Sequence, residues 1–323
     1  MELVDRMLKG DQAALARLMT LVENRSPSVP DIMRLINPRL GRTYRVGITG
    51  PPGAGKSTLA DRLTALLRKR GDTVGVVAID PTSPFTGGAL LGDRIRMQQH
   101  YLDSGVFIRS MGTRGSHGGL ARATKDVVKL LDAFGKDWVL IETVGVGQTE
   151  LDVMEATDTT LVVLVPESGD AIQTMKAGLM EIADIFVVNK ADRGGAERVV
   201  AELEMMVQLA PKRSEWQIPV LTAQAENNVG IAELLAACER HREMLHRSDE
   251  FERRRQQFRR YELMEIIEER IKSRLLERSR KDTILGPYVE RVVAGEVDPY
   301  SAAREILSNK DLVHDLVVGE GEV

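Results

Sequence analysis

Between residues 44 and 222 the chain repeats one rhythm: a short apolar, largely β-branched run, then a longer stretch whose apolar positions recur every three or four residues. The runs are Tyr44 to Thr49, Val74 to Ile79, Trp138 to Ile141, Thr160 to Val165 and Ile185 to Val188, with a shorter one at Ile218 to Leu221. Continuous apolar strands without in/out alternation are what a parallel sheet covered on both faces requires. The pattern therefore predicts an α/β fold with a mostly parallel sheet. Ahead of it, Leu3, Val4, Met7, Leu8, Leu15, Leu18, Met19 and Val22 predict a helical extension that packs on the main domain, with Pro27, Pro30 and Pro38 interrupting it. The rhythm changes after about Arg240. From Phe251 to Leu276 it is helical and densely charged, with one apolar stripe of Met264, Ile267, Ile271 and Leu275, and a second helix is expected around Ala302 to Leu307. Gly319 to Glu322 reads as a frayed end. The expected domains are 1–42, 43–247 and 248–323. The charged arm is read either as a solvated face or as a protruding helix whose stripe pairs with another subunit.

Composition narrows the class. At 323 residues the chain is long for one core, and 43% hydrophobic with 4% aromatic residues describes an aliphatic interior. A formal net charge of −4 offers no case for a nucleic-acid partner. No signal sequence and no apolar run of membrane-spanning length is found, and the single cysteine, Cys238, permits no internal disulfide. A cytoplasmic location is expected, with no membrane contact.

The strongest local signal is Gly50-Pro51-Pro52-Gly53-Ala54-Gly55-Lys56-Ser57, followed by Thr58, between an expected strand and an expected helix. Glycines let a polyphosphate approach the backbone closely, and the loop amides with the helix N-terminus bind the α- and β-phosphates. Lys56 is expected to reach the β- and γ-phosphates and Ser57 to ligate Mg²⁺. The second signal is Asn189-Lys190-Ala191-Asp192, directly after a strand. A carboxylate at Asp192 accepts from guanine N1–H and its 2-amino group, neither of which adenine offers in that arrangement, while Lys190 lies along the base and Asn189 braces the loop. Sites that pair a buried polar group in this way reject the wrong ligand by about 10⁴ to 10⁵. Leu221-Thr222-Ala223-Gln224 is where a further guanine contact, through the Ala223 amide, is expected.

Three acids lie between these motifs. Glu142 ends a buried strand and faces the crevice where open α/β sheets bind ligands. Asp80 ends another, and Asp93 opens a loop-to-helix segment where it also suits a helix N-cap. Mg²⁺ takes few carboxylates and several waters, so one or two of Asp80, Asp93 and Glu142 are expected to hold waters instead of metal. The Gly145 amide is read as the γ-phosphate sensor and Gln148 as a candidate water-orienting side chain. Arg94, Arg96 and Arg114 are candidate charge-neutralising arginines or plain surface residues.

These runs, together with Asp80-Pro81-Thr82-Ser83, Thr86 to Met97, Arg109 to Gly115, Glu142 to Gln148 and Pro166 to Gln173, resemble the MeaB/ArgK family of P-loop GTPases. Members of that family chaperone adenosylcobalamin-dependent acyl-CoA mutases such as methylmalonyl-CoA mutase. The likeness covers nearly the whole chain, and Glu142 stands where the usual Asp-x-x-Gly motif carries aspartate. It implies Mg-dependent GTP hydrolysis to GDP, catalytic roles for Lys56, Asp80, Asp93 and Glu142, and gating of cofactor loading on a mutase partner. It also implies a homodimer built through the C-terminal arm. Asp170 to Lys176 and the glycine-rich Gly112 to Gly119 are read as segments that change with the γ-phosphate or touch a partner, or as a capped helix start and a rigid turn. Two other classes stay open. A small-molecule kinase would use the same phosphate loop but needs an acceptor pocket, and a metallochaperone would need more than Cys238, His241 and His246, which read as helix-surface residues.

Overall fold

The computed structural model describes residues 2–80, 97–112, 117–143, 145, 157–168, 181–209, 215–278 and 284–317. Seven strands, β1 (Tyr44–Thr49), β2 (Val74–Asp80), β3 (Val106–Gly112), β4 (Trp138–Glu142), β5 (Thr159–Leu164), β6 (Ile185–Val188) and β7 (Val220–Thr222), form one sheet in the order β3-β2-β4-β1-β5-β6-β7. Every pairing is parallel. Residues of β4, β5 and β6 are buried throughout, which is why these strands read as unbroken apolar runs.

Among the described residues, the helices of the sheet-bearing part are α1 (Glu2–Leu8), α2 (Gln12–Glu23), α3 (Val29–Ile36), α4 (Lys56–Lys69), α5 (His117–Phe134), α6 (Ala196–Leu209) and α7 (Ile231–Arg247). One face of the sheet, through Val46, Ile48, Leu140, Leu161 and Val163, packs with Leu59 and Leu63 of α4 and Leu234 and Leu235 of α7. On the other face, Val77, Ile79, Val139 and Ile141 pack with α5 and with the helices of the N-terminal extension, while Val162, Leu164 and Phe186 meet α6. The extension thus shares the core of the sheet, as its apolar period predicts. It is latched there by Asp132 of α5, which accepts from the amides of Gly41, Arg42 and Thr43 at 2.7, 3.1 and 3.1 Å.

Three expectations are corrected. Pro30 does not break the helical pattern; it occupies the first turn of α3, where its missing N–H has no helical acceptor to lose. Strand β3 is absent from the apolar pattern, because Arg109 and Ser110 interrupt its run. It is an edge strand only partly buried, and α2 shields it: Gln12 Nε2 donates to Ser104 O at 3.1 Å and Arg109 pairs with Glu23. The glycine-rich turn is shorter than expected, since Gly112 closes β3 and His117 already opens α5.

The chain divides into two compact units, Met1–Phe251 and Glu252–Val323. Beyond α7 come α8 (Glu250–Arg278), α9 (Gly286–Val293), α10 (Pro299–Ser308) and α11 (Lys310–Val317). Helices α9 and α11 add to the two that the sequence pattern predicts for this region. Leu285, Leu312 and Leu316, with Tyr288 and Ile306, form a small core of their own. On α8, Met264, Ile267 and Leu275 of the expected stripe are exposed.

Candidate functional site

The strand order places the site. Chain leaving β1 meets β4 on one side and β5 on the other, and such a switch point opens a crevice at the C-terminal ends of the strands. The loop 50–55 sits there between β1 and the N-terminus of α4. Its glycines are demanded by geometry at two positions. A Cβ on Gly50, which has φ of 144°, would lie 2.0 Å from Val163 O, and one on Gly55, at φ 87°, would lie 2.3 Å from Asn189 Nδ2. A side chain at either position would force the loop off the sheet or off Asn189.

Behind this loop lies a polar, buried floor. Lys56 is 6% exposed, and its Nζ donates to the carbonyls of Gly50 and Pro51 at 2.8 and 3.0 Å. Ser57 Oγ donates to Glu142 Oε1 at 2.6 Å, both residues being buried. A hydroxyl that gives its proton to a carboxylate keeps its lone pairs for a cation. This pair of hard oxygen donors suits Mg²⁺, which takes few protein ligands. Among the described residues no cluster of three His, Cys, Asp or Glu converges on a point. Gly145 is buried beside Pro52, and its carbonyl accepts from Thr49 Oγ1 at 2.8 Å and Thr143 Oγ1 at 3.1 Å. Asp80 closes β2 in register with Gly112. Asp93, Arg94, Arg96, Arg114, Gln148 and the segment Asp170 to Lys176 lie outside the described residues.

The other end is an open cleft lined by Gly55, Thr58, Asn189, Lys190, Asp192 and Arg193. Asn189 joins the two ends, donating from Nδ2 to Ala54 O at 2.8 Å and accepting at Oδ1 from Ala225 N at 3.1 Å. Lys190 adopts φ of 56°, unusual for a residue with a side chain, and its Nζ donates to Gly53 O at 2.8 Å. Asp192 is exposed on the cleft wall and makes no hydrogen bond among the described residues.

Thr222 and Ala223 are not part of that wall. The Ala223 amide is committed to Val188 O at 2.9 Å, extending the β6–β7 ladder, and is not available to a base. Gln224, Ala225, Glu226 and Asn227 line the cleft instead, just beyond the expected position. The turn-forming run Asn227-Asn228 before Gly230 is the sequence signal that would have placed the loop there.

Cys238 and His241 are also corrected: they are 1% and 0% exposed and face the sheet, not solvent. His241 Nδ1 lies 2.7 Å from Thr159 Oγ1, which meets Tyr44 Oη, at the N-terminal ends of β5 and β1 and so at the end of the sheet opposite the loop. Burial pushes the Cys238 thiol up to about 12 and raises the Tyr44 phenol as well.

Comparison with known proteins agrees with this geometry. The model of the family described as methylmalonyl Co-A mutase-associated GTPase MeaB matches residues 15–280. A relative from Pyrococcus abyssi is 52% identical over 309 residues, covering 95% of both chains. GTPase ArgK of Escherichia coli is 39% identical over 241 residues, covering 72% of this chain and 73% of its own. Among solved structures, a protein described as a LAO/AO transport system kinase superposes with a TM-score of 0.71 at 28% identity, covering 95% of this chain and 96% of that one.

Proposed function

This chain belongs to the MeaB family of P-loop GTPases, and from that premise we propose that it uses GTP hydrolysis to chaperone an adenosylcobalamin-dependent acyl-CoA mutase of the methylmalonyl-CoA mutase type. The observation that carries the mutase half is the family match itself, which runs from within α2 through the end of α8 under a mutase-associated description. In this reading the chain gates cofactor loading and protects the loaded mutase. It acts in the cytoplasm as a homodimer, with the exposed α8 stripe of Met264, Ile267 and Leu275 as the pairing surface.

In the reaction a water attacks the γ-phosphorus, the bond to the β–γ bridging oxygen breaks, and GDP and phosphate leave. Lys56 exchanges its carbonyl partners in the loop for the β- and γ-phosphate oxygens, which meet its buried ammonium with full negative charge. The Gly145 amide meets the γ-phosphate, and the two threonine hydroxyls on its carbonyl set the orientation of that residue. Ser57 would hold Mg²⁺, and Glu142, Asp80 and Asp93 would order its waters. When bound, that ion neutralises charge developing on the phosphate oxygens. Asp192 selects guanine, Asn189 and Lys190 keep the base wall against the phosphate loop, and the loop 224–227 replaces Ala223 in contacting the ring.

The test uses the purified full chain and a purified methylmalonyl-CoA mutase. Calorimetry is expected to give an affinity that differs between GDP and a non-hydrolysable GTP analogue, and sedimentation to give a dimer. Failure to bind the mutase in any nucleotide state overturns the partner assignment. Phosphate release from GTP without any added acceptor separates this reading from a kinase.

A further inference from the structure

Helix α4 brings its N-terminus to the phosphate loop, and its next turns reach the base end of the cleft. Thr58 lines the cleft. Four residues on, and therefore on the same helical face, Arg62 spans to the loop opposite. Its Nε donates to Ala225 O at 3.2 Å and its Nη2 to Glu226 O at 3.4 Å. A guanidinium is a rigid fork, suited to holding two neighbouring carbonyls at once.

That grip has a consequence for the peptide between residues 225 and 226. In a trans peptide the C=O and N–H point in opposite directions. Holding Ala225 O toward Arg62 therefore turns the Glu226 N–H away from that guanidinium, in a residue that lines the cleft. The neighbouring amides are spoken for: Gln224 N donates to Val229 O at 3.0 Å and Ala225 N to Asn189 Oδ1 at 3.1 Å. The Glu226 N–H has no acceptor among the described residues.

We propose that Arg62 is a positioning residue for purine choice, fixing the 225–226 peptide so that a backbone donor faces the 6-position of the base. The proposal rests on the guanine reading of Asp192. A 6-oxopurine offers an acceptor to that donor, whereas a 6-aminopurine offers N–H groups and leaves the amide unpaired. Asp192 reads N1–H and the 2-amino group, so the two donor and acceptor groups read different atoms of the base. One helix then carries both the phosphate grip and, through Arg62, the setting of the base-reading loop.

The experiment measures affinities of the full chain for GDP and for 2-aminopurine riboside 5′-diphosphate, which keeps the 2-amino group and lacks the 6-oxo group. Arg62→Ala is expected to weaken GDP about tenfold, the scale of a hydrogen bond that depends on a charged partner, and to leave the 2-aminopurine nucleotide within about twofold. Arg62→Lys should fall between, since one ammonium cannot hold two carbonyls as a fork. The readout is the ratio of two ligands on the same protein sample, so partial loss of folded protein cancels. Equal losses for both nucleotides, or no loss for either, overturn the proposal. Wild-type protein that binds GDP no tighter than ADP would instead overturn the guanine reading, and this inference with it.

Discussion

At the phosphate end, Lys56, Ser57 and Glu142 are 6%, 6% and 5% exposed and already hydrogen-bonded within the chain. At the base end, Lys190 is half-buried while Asp192 and Arg193 stand exposed, and Asp192 makes no hydrogen bond among the described residues. On the proposed function the difference follows from what each end binds. A triphosphate brings charge that has to be met in a water-poor floor, where preset donors are strong and where unmet ones are costly, so the chain supplies stand-in acceptors from its own carbonyls. A purine ring is neutral and flat. Its recognition needs a few directed groups on a rim that the ring can enter and leave. Asn189, buried between the two, bonds to the loop 50–55 through Ala54 and to the loop 224–227 through Ala225, and so keeps the ends in one frame.

If the two ends divide chemistry from selection, substitutions at them should fail in different ways. The largest effect is expected at the floor: Lys56→Ala should lower kcat/KM for GTP by about 10³-fold or more. Single-turnover phosphate release would measure it, and activity within about tenfold of wild type would contradict the contrast. Next comes the rim. Asp192→Asn should weaken GTP by about 10²-fold while strengthening xanthosine triphosphate, whose 2-oxo group accepts from the new amide, and kcat at saturation should change little. A large fall in kcat would mean that the rim also takes part in chemistry.

The smallest effect concerns the support of the floor. On α4, one turn beyond Ser57, Asp61 accepts from Gln99 Nε2 at 2.8 and 2.7 Å and lies 3.2 Å from His100 Nε2. Burial alone would raise this carboxyl, but hydrogen bonds from His100 and Gln99, with the charges of His100 and Arg62, hold it below the usual carboxylate range. A group whose folded pKa is depressed contributes stability that is present above its unfolded value and lost as pH falls through its folded value. Asp61→Asn should therefore lower Tm at pH 7 by about 2–4 °C and flatten the acid limb of a Tm-against-pH curve. An unchanged acid limb would show that this carboxylate does not anchor the helix.

The parts legible in the sequence are those whose determinants are neighbours in it. The strand-loop-helix at Tyr44 to Lys69 is readable because glycines, lysine and serine at fixed offsets between two periodic stretches admit one local conformation. Glu142 and the Asn189 to Asp192 tetrad are readable because each directly follows an apolar run. Strand β3 escapes the pattern where polar residues interrupt such a run at a sheet edge, since edge strands are held by one neighbour and by α2, both distant in sequence. Cys238 and His241 resist reading because a lone polar residue in a helical period carries no mark of the face it occupies until the sheet is placed against it.

Spacing within a dozen residues was thus enough to specify the α/β class, the phosphate loop and the candidate guanine carboxylate. It took the packed chain to establish that Ala223 is spent on the β6–β7 ladder, that residues 224–227 line the cleft, and that Arg62 grips that loop from α4. Those outcomes depend on which groups, 163 residues apart in the case of Arg62 and Ala225, meet when the sheet closes its hydrogen bonds. A backbone amide has no side chain to announce its role, so its availability is set by the partner that packing gives to it or withholds.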